Sequence, residues 1–206
     1  TNPHNPTGQL WSQDSLKRLL LTYKLIICDE AFLSITPEGE KESLISLVND
    51  FDNLIVIRSL TKLFSIAGLR LGYIISNPKL INKLILKRDP WPLNAFAIQA
   101  GITLLGNKKE YTVWTKKIHK WVNTEKSWMS SKISTINQLL VLDSSTNFFL
   151  VKSKQSMIPN IKYLANKGIL IRGCSSFRSL SDKWVRISIQ KHSQNKKIIS
   201  AIQNSF

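Results

Sequence analysis

The sequence predicts an α/β fold: a mostly parallel layer of strands and helices, followed by a smaller α+β unit. Three observations carry this. Two short apolar runs, residues 25–28 (LIIC) and 54–57 (LIVI), each end abruptly in polar residues, Asp29-Glu30 and Arg58-Ser59. Continuous apolar runs of that length fit strands buried on both faces, as in a parallel sheet. Helix-period segments alternate with them through the first half of the chain, the pattern of strands joined by crossovers. From Ile133 the pattern changes to strand-like runs with fewer helices between them. The expected division is a partial large domain over residues 1–108, a bridging helix over 109–132 and a small domain over 133–206.

In order along the chain, residues 1–8 (TNPHNPTG) hold two Asn-Pro pairs and a closing glycine, which make a rigid turn. Leu10, Trp11, Leu16, Leu19, Leu20 and Leu21 give residues 10–23 an amphipathic helical pattern, with Ser12 or Asp14 near its start. The 25–28 strand follows. Residues 36–42 are polar and turn-like, 43–48 read as a short helix, and 54–57 as the next strand. Gly68 and Gly72 flank Leu69-Arg70-Leu71, and residues 71–75 (LGYII) form a third strand. Asn77-Pro78 opens a helix over 79–87, with Leu80, Ile81, Leu84 and Ile85 on one face. After the break at 89–93 (DPWPL), helices are expected over 94–106 and 109–130. In the longer one Val113, Trp114, Ile118 and Trp121 recur at helical spacing and read as packing surface. Strands are expected at 139–142, 148–151, 169–172 and 185–189, with helices over 158–167, stopped by Gly168, and 193–203.

Composition narrows the function classes. With 206 residues, 43% of them hydrophobic and 20% charged, the chain can bury a sizeable core. No apolar run reaches the roughly 18–20 residues of a membrane span. The opening octapeptide has neither the basic start nor the apolar centre of a signal peptide; it reads as the middle of a longer chain. Cys28 and Cys174 lie far apart with no CxxC pairing, which fits reduced, packed thiols and a cytoplasmic protein. The net charge of +16 raises the question of nucleic acid. The lysines, however, are scattered singly or in pairs along helical segments, as on solvated faces. Nucleic acid and membrane are therefore not expected as partners, no metal site is expected, and an anionic small molecule fits the charge.

In parallel sheets, ligand chemistry sits beyond the carboxyl ends of the strands. That places the expected site at Asp29 and at Ser59-Leu60-Thr61-Lys62, with Arg70 eight residues past the lysine. Each motif alone is weak. Together and in order, NPTG, then D-x-A-F, then S-L-T-K, then the arginine, they resemble the fold-type I pyridoxal-phosphate enzymes, the aspartate aminotransferase superfamily. The resemblance covers essentially the whole chain.

The resemblance implies pyridoxal 5'-phosphate as cofactor, a large cofactor-binding domain plus a small C-terminal domain, and a homodimer. It implies Lys62 as the amine that takes the cofactor aldehyde and Asp29 as partner of the pyridinium nitrogen. Asn5 would donate to the ring's phenolic oxygen. Ser59 and Arg70 would bind the phosphate, Arg70 through charge-assisted hydrogen bonds, and Asn2 would line the same cleft. One departure stands out: many aminotransferases carry Tyr where this chain has Phe32, which cannot donate a hydrogen bond. The Asp-Glu-Ala-Phe version is similar to the threonine-phosphate decarboxylases of cobalamin synthesis. RSLTKLFSIAGLRLGY, PWPLNAFA, GILIRGCSSFRSL and WVRISI support that subgroup. In it, and in histidinol-phosphate aminotransferases, two arginines near the C-terminus bind substrate. Arg172 and Arg186 occupy those places: Arg186 for the α-carboxylate as a planar fork, Arg172 for phosphate or carboxylate. Asn147 would face the same cleft, and Arg178 is a weaker candidate there that reads as solvated. Family members also carry, ahead of the NPTG turn, a glycine-containing phosphate loop and an aromatic that stacks on the ring. Neither precedes Thr1, so the large domain is expected to be incomplete. The substrate implied is a phosphorylated amino acid. Decarboxylation of O-phospho-L-threonine, transamination of histidinol phosphate with 2-oxoglutarate, and an inactive fragment all stay open at this point.

Overall fold

The computed structural model describes residues 1–206. The chain divides into two compact units, Thr1–Pro3 with Leu10–His119, and His4–Gln9 with Lys120–Phe206. The division falls inside the long helix, and the short His4–Gln9 segment goes with the second unit.

In the first unit, helix α1 (Gln13–Thr22) starts where Ser12 accepts the Ser15 N–H on its hydroxyl, meeting one of the orphan donors of a helix N-terminus. Strands β1 (Ile26–Asp29), β2 (Leu54–Ser59) and β3 (Gly72–Ser76) form one sheet in that order. β1 and β2 are parallel, with Ile26 opposite Leu54 and Asp29 opposite Ile57. β3 runs antiparallel to β2, from Ile55 opposite Ser76 to Ser59 opposite Gly72. The sheet is therefore mixed. The link from β2 to β3 holds only the 3₁₀ turn Ala67–Leu69, too little for the crossover that a parallel return demands. Gly72 is needed there, because a Cβ would sit 2.8 Å from the Arg58 carbonyl oxygen.

One face of this sheet is covered. Cys28, Leu54 and Val56 pack with Leu20 of α1 and with Leu44, Leu47 and Val48. Residues 43–48, expected to be helical, form the 3₁₀ turn Leu44–Leu47. The other face is covered in part: Ile55 is buried, while Ile27 is 57% and Ile74 40% exposed. Burial on both faces, expected from the apolar runs, is thus only half met within this unit. Asn77 and Asn94 cap helices α2 (Pro78–Ile85) and α3 (Ala95–Gly106). Helix α4 (Lys108–Ile133) runs across the boundary between the units. On its first half Trp114 stacks on Phe64 and donates its indole N–H to the Leu63 carbonyl at 3.0 Å, as the helical spacing predicts, whereas Val113, expected on the same packing surface, is 61% exposed.

In the second unit, strands β4 (Leu139–Val141), β5 (Phe148–Ser153), β6 (Arg172–Gly173) and β7 (Trp184–Ser188) lie in the order β4-β5-β7-β6, antiparallel throughout. Phe149, Val151, Val185 and Ile187 pack with Met129 and Ile133 of α4. Leu164 of α5 (Ile158–Asn166) and Ile198, Ile199 and Ile202 of α6 (His192–Gln203) complete this core. β6 is shorter than the predicted 169–172 strand. Gly168 adopts φ +72° and Ile169 donates its N–H to the Leu164 carbonyl at 2.9 Å, so these residues close α5 instead of joining the ladder. The His4–Gln9 turn closes on itself, His4 donating to the Gln9 carbonyl at 2.8 Å, and Ser145 donates to the Gly8 carbonyl at 2.8 Å.

Candidate active site

Asp29 ends β1, and its register partner is Ile57. Side chains alternate along a strand, so Asp29, Ile57 and Ser59 share one side of the sheet and Arg58 takes the other. Asp29 Oδ1 accepts the Ala31 N–H at 2.9 Å, a local turn that leaves the second carboxylate oxygen available. Lys62 lies in the turn after β2, its Nζ 5.2 Å from the centre of the Phe32 ring. That amine therefore hangs beside the Asp29-Glu30-Ala31-Phe32 turn. Neither Asp29 nor Lys62 takes part in any ion pair. The Ser59 hydroxyl lies 2.7 Å from that of Thr61 and accepts the Thr61 N–H at 3.2 Å. Arg70 is exposed and holds a left-handed backbone, φ 55° and ψ 43°, with Nη1 donating to the Ala67 carbonyl at 2.9 Å. For a residue with a Cβ that conformation costs about 1–2 kcal/mol.

Asn2 differs from expectation. It is buried, donates to the Trp11 carbonyl at 3.1 Å and accepts the Trp11 N–H at 2.8 Å. Its own N–H reaches the Asp29 carbonyl at 2.8 Å. Both ends of the amide are engaged by main chain, so in this structure Asn2 anchors the start of the chain to β1 instead of presenting itself to substrate.

Sequence reasoning missed the charges on the opposite side of the same strand ends. Arg58 Nε lies 2.8 Å from Glu30 Oε2, with side chains 5% and 0% exposed, held by charge without the alignment of a hydrogen bond. Arg58 also forks onto Glu40 at 2.7 and 3.0 Å and donates to the Ser43 hydroxyl at 2.8 Å. Glu30 accepts the Ser43 hydroxyl and the Leu44 N–H, both at 2.8 Å. Burial pushes the Glu30 carboxyl pKa up, against the Leu44 N–H and the Arg58 charge. For Arg58, burial works to lower the pKa, but the fork with Glu40 and the Glu30 charge outweigh it and hold the guanidinium charged. Next to this pair, burial and Glu30 push the Cys28 thiol up to about 12. The signal was visible: each strand ends in two adjacent polar residues, and alternation sends them to different sides.

In the second unit Arg186 Nη1 donates to Asn5 Oδ1 at 2.5 Å, and its guanidinium lies 5.0 Å from the Phe148 ring centre. Burial lowers the Arg186 pKa, and the charge of Arg172 works in the same direction. Arg172 stands directly opposite Arg186 across the β6–β7 ladder. Like charges directly opposite are destabilising; an anion bridging them would reverse the sign. Arg186 Nε and Asn147 Oδ1 are buried without a hydrogen-bond partner. Arg172 is exposed, near the Ser176 hydroxyl at 3.4 Å and over Phe177. Arg178 is exposed, as its solvated reading implies. The structure thus brings together Asp29, Ser59 and Lys62 at the strand ends of one unit, and Asn5, Arg172 and Arg186 in the other.

Residues 1–202 match the family model for aminotransferase class I and II. The chain belongs to this family. A Caldanaerobacter subterraneus subsp. tengcongensis protein named "Putative threonine-phosphate decarboxylase" is 35% identical over the whole chain, which covers 56% of that relative. The solved histidinol-phosphate aminotransferase of Clostridium acetobutylicum superposes with a TM-score of 0.90 at 28% identity, over 98% of this chain and 61% of that one. The L-threonine-O-3-phosphate decarboxylase of Porphyromonas gingivalis gives 0.86 at 27%, over 98% and 62%. The chain spans about half the length of the curated relatives it matches. The fold is that of the fold-type I aminotransferases.

Pyridoxal 5'-phosphate is the cofactor of this family, and the residues present fit it. A carboxylate with no cation ends β1, and a lysine with no acid lies over Phe32 of the turn that follows it. Those are the groups the cofactor requires: a carboxylate for the pyridinium nitrogen and an amine, nucleophilic once unprotonated, for the aldehyde.

Proposed function

We propose that this chain carries the lysine, carboxylate and arginines of a pyridoxal-phosphate enzyme that decarboxylates a phosphorylated amino acid, O-phospho-L-threonine, for cobalamin synthesis, as a cytoplasmic homodimer. The observation that carries the reading is the pair of uncompensated charges, Asp29 and Lys62, at the sheet's carboxyl end. Phe32, which lacks a phenolic hydroxyl, and the 35% identical relative support decarboxylation.

When bound, the cofactor supplies an electron sink for the pair left at the substrate Cα. The protein's residues do the rest. Lys62 receives the aldehyde and moves a proton at Cα. Asp29, kept free of other cations, holds the proton on the ring nitrogen. The Ser59 hydroxyl and the Arg70 guanidinium take the cofactor phosphate. Asn5 has its Oδ1 occupied by Arg186, which leaves its Nδ2 to donate to the phenolic oxygen. Arg186 takes the substrate α-carboxylate as a planar fork, with Asn147 beside it, and Arg172 takes the substrate phosphate.

A second reading, transamination of histidinol phosphate, is favoured by the TM-score of 0.90 to an enzyme of that name. The chain incubated with cofactor and O-phospho-L-threonine should release CO₂ and form aminopropanol phosphate. Glutamate from histidinol phosphate and 2-oxoglutarate, without CO₂, would establish the second reading. Neither product would sink both.

A further inference from the structure

The second unit has a groove apart from all of these residues. It runs between the C-terminal end of α5, residues 169–171 and α6, with a volume of about 910 Å³, within the roughly 300–1,000 Å³ of ligand clefts. Its lining is mixed: Ile169, Ile171 and the edges of the buried Ile187 and Ile198 stand among Gln190, Gln194 and Asn204. Leu170 stands beside it at 87% exposure. Lys167, Lys196 and Lys197 line it, no aspartate or glutamate does, and none of the three lysines has an ion-pair partner.

The groove also opens on a strand edge. The β6–β7 ladder stops at Arg172 opposite Arg186, while β7 continues to Ser188, which lines the groove. Trp184 presents its carbonyl to the β6 side, where Cys174 donates to it at 2.9 Å. By the period of two along a strand, the main-chain groups of Ser188 face that same side. Residues 168 and 169 are taken up in closing α5, and both main-chain groups of Gln190 are held by the Asn195 side chain, so Ser188 is the one residue of β7 that the chain leaves open on that side.

We propose that this groove binds an extended acidic peptide segment, which pairs with the free end of β7, seats an apolar side chain against Leu170 and lays its carboxylates among Lys167, Lys196 and Lys197. Strand addition supplies main-chain affinity, while side-chain pockets and charge supply specificity. A small polyanion would use the lysines but neither Leu170 nor the strand edge, so the peptide accounts for more of the groove. The inference is independent of the cofactor reading.

The test titrates the 206-residue chain, with and without pyridoxal 5'-phosphate, into fluorescein-labelled Glu-Ile-Asp-Val-Glu-Val-Asp and follows anisotropy. A saturable rise, unchanged by cofactor, is expected. The pair Lys196→Glu and Lys197→Glu should weaken it about tenfold or more. Leu170→Ser should weaken it without altering charge. Lys83→Glu with Lys87→Glu, exposed on the first unit, should leave it within about twofold and so control for the overall +16 charge. The same peptide N-methylated at alternate amides should lose binding. No saturation at about 1 mM overturns the proposal. So does equal binding of the N-methylated peptide, or tripolyphosphate binding at the same lysines where the peptide does not.

Discussion

Two groups of charged residues sit at the carboxyl ends of β1 and β2, and they are treated in opposite ways. Glu30 and Arg58 are buried and mutually compensated, with Glu40, Ser43 and the Leu44 N–H completing their hydrogen bonds. Asp29 and Lys62 are half-buried and lack any ion pair. Adjacent residues in the sequence thus have unrelated duties, because a strand sends neighbours to opposite faces. A charge whose partner lies within the fold holds the strand ends together. Asp29 and Lys62, half-buried at the strand ends and without such a partner, are left free to meet a ligand.

Removing one member of each group should separate the two duties. Lys62→Ala should lower turnover by about 10²–10⁴-fold or more, the range for a positioned proton carrier. It should also abolish borohydride-fixed cofactor attachment, read by mass. Its urea midpoint should barely move, since no ion pair is lost. Arg58→Met should do the reverse to stability. It strands Glu30 in the interior and should cost about 3–5 kcal/mol, measured by urea unfolding. A loss below about 1 kcal/mol would mean that solvent reaches Glu30 and the contrast is false. Smaller again is Asn5→Ala, which removes one hydrogen bond to a charged group, worth about 1.5–3 kcal/mol. Because Arg186 is then free to swing from its place, KM for substrate should rise more than kcat falls.

The last substitution also marks where the sequence stopped being readable. The strand ends were legible because short apolar runs cut off by polar residues leave few alternatives for where chemistry sits. Asp29 and Lys62 follow from that, and the motif order around them carried the family. The bond between Asn5 and Arg186 joins residues at opposite ends of the chain, and no local pattern records such a pairing. Arg58 was visible only as a polar terminus, since its partners Glu40 and Ser43 come from turns with no periodicity. Asn2 shows the converse: its neighbours in the motif suggest a ligand, whereas its hydrogen bonds with Trp11 depend on how the chain folds back. The direction of β3 was decided by the length of a link, which sets topology without altering the apolar pattern.

The gentlest probe of the comparison is pH. Burial raises the Glu30 pKa above its unfolded value, so the folded state holds the proton more tightly than the unfolded chain does. Its contribution to stability is fully present below the unfolded value, near 4.5, and is lost as pH rises through the folded value. Glu30→Gln keeps the shape and cannot titrate, and every other carboxylate is shared by the two proteins. Urea midpoints from about pH 4.5 to 7.5 should therefore show the native chain gaining on the variant as pH falls. The slope is bounded by about 1.4 kcal/mol per pH unit for one proton. Parallel curves would mean that Arg58 and the Leu44 N–H offset burial completely. The buried pair would then be as indifferent to pH as an apolar core.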